Sequence, residues 1–261
     1  MKENRITSFM NISVCRKPGI LVGLPIFIFG IFACSSGTFQ TQVFSIESFR
    51  VFKKAENMTS RYFDRSMGYR DSYFNAISLT ELVKKVVPNS FDGLLLDCYD
   101  DYQGFISFNE IQRYDLRLAT KLEIASEFEK PDWLNPMMIL VPDEVDAPKQ
   151  ESFLTANIRE LRFVKSKDYY APLNAALKNS DVPGYSVFKS NCLFCHSLKG
   201  VGGNKGIDLL KVYSLAQEEE KERFVSDFFG FHNTDNLEKQ NMEQFVDQKK
   251  VKEIVEFLSF F

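Results

Sequence analysis

Cys192, Leu193, Phe194, Cys195 and His196 constrain this chain more than any other stretch. Two thiols three positions apart fall on one face of a helix, and an imidazole follows directly behind them. Each thiol can add to one vinyl group of a haem, and the adjacent histidine can then ligate the iron from one side. Two other chemistries use paired cysteines. A local redox pair wants them at the start of a helix after a strand, and a zinc site wants further ligands. Neither accounts for the histidine.

Composition narrows the field. With 261 residues, 44% hydrophobic and 26% charged, the chain is globular in type and long enough for one large or two small domains. Its net charge is −3 and it has no basic stripe, which argues against nucleic acid as a partner. The five cysteines sort by position: Cys15 and Cys34 lie near the N-terminus, Cys192 and Cys195 form the pair, and Cys98 stands alone. No second pair completes a four-cysteine zinc or iron–sulfur site.

The first 33 residues read as an export leader. Lys2, Arg5, Arg16 and Lys17 precede an uncharged apolar run over 20–33, shorter than the roughly 18 to 20 residues of a spanning helix. The run ends at Ile31, Phe32, Ala33 and Cys34, which resembles the lipobox of bacterial lipoproteins. That resemblance implies cleavage before Cys34, lipid on Cys34, and a tether over 34–41 that begins Ser35, Ser36, Gly37. An ordinary cleaved leader and an uncleaved anchor are the alternatives. Loss of residues 1–33 leaves a net charge of −6, which favours partners with a basic docking patch.

Between 42 and 166, periodicity predicts mixed strands and helices. A partly alternating strand is expected over 42–53. Ser78 to Glu81 has capping-box form and opens a helix that Pro88 stops. Leu94, Leu95 and Leu96 form a continuous apolar run typical of a buried strand, and 104–108 can pair with it. Ser107 and Glu110 make a second capping box, leading into a helix expected over 111–119. Further strands are expected over 137–141 and 158–164. Asp97, Asp100 and Asp101 read as turn residues, since no spacing completes an oxygen cage. Residues 167–181, with Pro172 and a helical patch at Leu173 to Leu177, read as a linker.

The chain around the cysteine pair resembles class I c-type cytochromes. The likeness rests on Gly184, Tyr185 and Phe188 ahead of the pair and on the glycine-rich Lys199, Gly200, Val201, Gly202, Gly203, Asn204, Lys205, Gly206 behind it. It implies one covalent haem c on Cys192 and Cys195, with His196 as an axial iron ligand. It also implies a loop passing over the haem on the histidine side, and an all-α domain over 182–261. The family orients its histidine with a proline after this loop, where Ile207 stands here. Met242, 46 residues after His196 and just ahead of an apolar-faced helix, holds the family's place for the sixth ligand; Glu243 follows it instead of a proline. His232 is the alternative sixth ligand. A thioether raises the potential and a second imidazole lowers it. The loop lacks the Lys-Ser/Thr and the preceding strand of a phosphate cradle. Glu218 to Glu222 reads as a solvated helix face.

A second, shorter resemblance involves Leu94 to Asp97, Asp101 to Phe105, Trp133 to Pro142 and Asn157 to Val164, which together are similar to the later half of the molybdopterin-binding domain of sulfite-oxidase-type enzymes. In that family a cysteine ligates molybdenum and basic residues hold the cofactor. Only Cys98 is available here, directly before the turn, so a scaffold without that cofactor is expected and Cys98 reads as a buried thiol.

These readings converge on an α+β N-terminal domain over 42–166 followed by an all-α cytochrome c domain over 182–261. The expected protein is a lipid-anchored monohaem cytochrome in the cell envelope, facing the periplasm and passing single electrons between redox protein partners. The alternative is a haem-bearing subunit or fusion of a molybdopterin-type oxidoreductase acting on a small substrate.

Overall fold

The computed structural model describes residues 42–45, 55–86, 90–177, 182–232 and 246–261. Among these, eight strands form two antiparallel sheets. The first runs β1 (Gln42–Ser45), β8 (Ile158–Val164), β4 (Gly93–Cys98), β5 (Gln103–Ser107). The second runs β2 (Glu56–Met58), β3 (Tyr73–Ser78), β6 (Arg117–Glu123), β7 (Met138–Leu140). Every residue of β4 is buried, as its unbroken leucine run requires of a strand covered on both faces. Leu94 and Leu96 share a core with Ile106, Ile139, Leu161 and Phe163. Across the sheet, Leu95 pairs with Phe105 of β5, whose ring packs against Tyr169 and Tyr170 with centroids 5.9 and 5.1 Å away.

Both capping signals open helices. Ser78 Oγ accepts from the Glu81 N–H at 3.3 Å ahead of α2 (Leu79–Val86), and Ser107 and Glu110 form the full reciprocal box at α3 (Phe108–Arg113). The helix expected over 111–119 ends early. Asp115 turns into the left-handed region at φ 43°, and Arg117 onward joins β6, where Leu118 and Ala119 pair with Ile77 and Ala76. Pairing with a distant strand overrides the local helical pattern there. Strands β2 and β3, and helix α1 (Arg61–Met67), come without a sequence expectation. Ser60 caps α1: its Oγ accepts from the Phe63 N–H and donates to the Val141 carbonyl at 2.7 Å, tying the helix to the end of β7.

The expectation of a separate all-α domain over 182–261 is overturned. Among the described residues its helical pieces are short: α6 (Tyr185–Val187) runs into a π-turn at Phe188–Cys192, α7 is Leu209–Val212, and only α8 (Glu218–Phe231) and α9 (Gln248–Leu258) exceed two turns. A small antiparallel bridge joins Leu198 and Val201. These pieces do not keep a core to themselves. One hydrophobic cluster instead runs from Phe74, Ala76 and Met138 of the second sheet through Leu154 and Ala156 to Phe188, Phe224 and Phe257. Residues 167–177, read as linker, join the same mass: α4 (Ser166–Tyr169) and α5 (Ala171–Asn174) bury Tyr170 and Leu173 in it. Lys189 Nζ lies 4.9 Å from the Tyr170 ring and 4.5 Å from the Tyr185 ring, spanning the two regions. Among the described residues no helix is long and apolar enough to cross a membrane.

Candidate functional site

The cysteine pair sits where α6 widens. The Leu193 N–H reaches back to the Phe188 carbonyl at 3.0 Å, a π-type step of the kind that recurs at functional sites. The Cys192 carbonyl then accepts from both the Cys195 N–H (3.1 Å) and the His196 N–H (2.8 Å). One carbonyl thus gathers both thiols and the imidazole onto a single turn. Neither cysteine is bridged; Cys192 is buried and Cys195 half-buried. Burial pushes the Cys192 thiol up to about 12 and raises that of Cys195 as well. A redox dithiol needs a lowered thiol pKa and a helix start, and this pair has neither. Among the described residues no three His, Cys, Asp or Glu side chains gather as a metal-ion cluster, so the half-zinc reading gains no further ligands.

The glycine-rich segment folds back over this turn. Lys199 and Gly200, at φ 52° and 80°, form the two-residue bend of a tight hairpin closed by mutual hydrogen bonds between Leu198 and Val201. The Gly203 N–H then donates to Leu193 (2.8 Å) and the Gly206 N–H to Cys195 (2.7 Å). The amides of Val201, Gly202, Gly203, Asn204 and Gly206 are all spent within the protein, which leaves no phosphate cradle. At Gly206 a Cβ would land on the His196 ring, so glycine is what lets the chain pass there.

That close passage sets the histidine. His196 Nδ1 lies 2.8 Å from the Ile207 carbonyl. A carbonyl only accepts, so Nδ1 carries the proton and the lone pair is on Nε2. Burial lowers the ring's pKa, which keeps it neutral. The orienting group belongs to the backbone, so an isoleucine at 207 supplies it as well as any other residue would. The residues fit a covalent haem: two unbridged thiols on one turn, and beside them a neutral imidazole held by the partner typical of a metal-ligating histidine.

The β4–β5 hairpin clamps the arrangement from outside. Its turn donates the Gln103 N–H to the Phe194 carbonyl (3.0 Å), and its Asp101 carbonyl accepts from the Asn204 N–H (2.9 Å). The Tyr102 ring stacks on Phe194 at 4.9 Å. Tyr169 completes the brace, donating to Gln103 Oε1 (2.5 Å) and accepting from the Gly202 N–H (3.0 Å). Asp97, expected as a turn residue, is a buried anchor paired with Arg162 and Gln103. Sequence reasoning assigned Tyr169 to a linker, and no local pattern marks its role.

No comparison finds a relative. Protein-family models, curated proteins and solved structures all give no match to the chain. The site therefore stands on its own geometry.

His232 closes α8. Both its N–H (3.0 Å) and its Nδ1 (2.8 Å) meet the Phe228 carbonyl, and its ring stacks on Phe228 at 4.6 Å. Its ring centre lies 6.3 Å from that of His196. Met242 and Cys34, the other expected site residues, lie outside the described residues. Cys98 is sealed in the core between the sheets, its Sγ against the Leu96 carbonyl, and burial raises its pKa. No cofactor could reach that sulfur without opening the core, so the site does not fit molybdopterin.

One group was missed altogether. Glu151 opens a 3-10 turn (Glu151–Leu154) that packs against the π-turn of the cysteine pair. It is wholly buried, and neither carboxyl oxygen has a hydrogen-bond partner among the described residues. Burial pushes its pKa up to about 8, and its charge is among the causes raising both cysteine thiols.

Proposed function

We propose that this chain is an electron-transfer protein carrying one covalent haem c, anchored to a membrane of the cell envelope through lipid on Cys34. The observation that carries the reading is the Ile207 carbonyl on His196 Nδ1, one residue beyond the thiol pair. Cys192 and Cys195 would hold the group by thioether bonds and His196 would ligate its iron. When bound, the haem supplies one-electron exchange between ferrous and ferric states. The protein's own contribution is positional. The Ile207 carbonyl fixes the tautomer and orientation of His196, and the glycine loop and β4–β5 hairpin prevent the turn from opening. The acidic balance of the chain suits redox partners with a basic face.

Three experiments test this. Full-length protein made in a host that matures c-type cytochromes should stain for haem on a denaturing gel. Cys192→Ala/Cys195→Ala should lose the stain, and its persistence would sink the attachment claim. Gly206→Ala is expected to displace the His196 ring from Ile207 and so lower the reduction potential or loosen the iron ligand, read by redox titration. An unchanged potential would show that the close passage is not what holds the ring. For the anchor, Cys34→Ser should leave the chain unprocessed and without lipid; processed, membrane-bound protein would overturn it.

A further inference from the structure

The two histidines of the chain share more than proximity. Each presents Nδ1 to a backbone carbonyl at 2.8 Å, Ile207 for one and Phe228 for the other. Each is therefore locked in the tautomer whose lone pair is on Nε2. A histidine at a helix end commonly caps a carbonyl, and capping alone would explain the Phe228 contact. It does not explain the approach to His196. Metal–imidazole bonds of about 2 Å place the centres of two rings that ligate one ion from opposite sides roughly 6 Å apart. The observed separation is 6.3 Å. The supports come from distant parts of the chain: His196 is set by the glycine loop, His232 by the end of α8, itself anchored by buried Phe224 and Phe228. Phe228 also stacks on the His232 ring, which limits its rotation. Such carbonyl-held imidazoles are the arrangement in which a second group orients a metal ligand.

We infer that His232 is the second axial ligand of the haem iron, so that the centre is bis-histidine. This rests on the haem reading above. Two imidazoles stabilise ferric iron relative to a histidine–methionine pair and lower the potential. The carrier is accordingly suited to a partner at the reducing end of a chain of electron carriers.

The test uses the haem-loaded full chain, with the haem stain read first. Stained protein should give a low-spin ferric electron paramagnetic resonance signal and no methionine-to-iron charge-transfer band. His232→Ala should lose the low-spin signal, bind carbon monoxide rapidly when reduced, and recover the low-spin signal on adding imidazole. His232→Met, which returns a side-chain ligand, should introduce the charge-transfer band and raise the midpoint potential. A charge-transfer band in the parent protein that Met242→Ala abolishes would overturn the assignment while leaving the haem reading intact. So would a His232→Ala protein with the parent's spectrum. Absence of the stain would remove the haem reading and the inference with it.

Discussion

At about pH 9 the Glu151→Gln protein is expected to be more stable than the parent by roughly 4 to 5 kcal/mol, the two converging near pH 4. The folded protein holds this carboxyl with a pKa raised from 4.5 to about 8 by burial alone. A raised pKa means that the folded state prefers the protonated acid. The stability linked to Glu151 is therefore fully present below about pH 4.5 and is lost as pH climbs to about 8. Each unit of separation is worth about 1.4 kcal/mol. Glutamine matches the shape of the acid and never ionises, so its denaturation free energy lacks this slope. The measurement is chemical denaturation of parent and variant across pH 4 to about 9. Parallel curves would mean that the carboxylate finds a partner that the described residues do not supply. Position sharpens the expectation, because the 3-10 turn bearing Glu151 packs against the π-turn of Cys192.

Gly184→Ala should cost roughly 3 to 5 kcal/mol, overpacking and left-handed strain adding together. Gly184 sits at φ 80°, and a Cβ there would overlap the Glu253 carbonyl and lie 2.6 Å from the Ile254 nitrogen. Those atoms are the backbone of α9, which cannot yield as a side-chain tip does. The helix would have to withdraw, pulling Phe257 from its contacts with Tyr185 at 5.2 Å and Phe188 at 5.2 Å. Gly200 is the control. It has the same φ of 80° and nothing within 4 Å, so Gly200→Ala should cost only the backbone term, about 1 kcal/mol. Equal losses at both positions would show that conformational strain, and not the approach of α9, explains Gly184.

Much of the front of the chain was legible because its signals are local. The leucine run of β4, the pairing of 104–108 with it and the capping boxes at Ser78 and Ser107 depend on neighbours a few residues away. The stretch after Ile111 was misread for the converse reason. Leu116, Leu118 and Ala119 carry an apolar pattern compatible with helix, and the strand partners of the last two, Ile77 and Ala76, lie some forty positions upstream. The separate all-α domain failed in a similar way. A family pattern of glycines, thiols and a histidine says how a turn is built, not what covers it. Here the covering comes from a hairpin and two tyrosines that the sequence places elsewhere.

By itself the sequence determined the chemistry on offer: two thiols and an imidazole at haem-attachment spacing, a loop of glycines able to pass close to them, and a second histidine. These follow from residue type and spacing along one short stretch. Tertiary structure decided what those groups meet. It gave the orienting role to the Ile207 carbonyl, which every residue possesses and no motif records. It brought the ring of His232 to 6.3 Å from that of His196, and it buried Glu151 beside the cysteines. Each of these depends on the closure of segments far apart in the chain, and the energy of such closures lies in packing that no local pattern encodes.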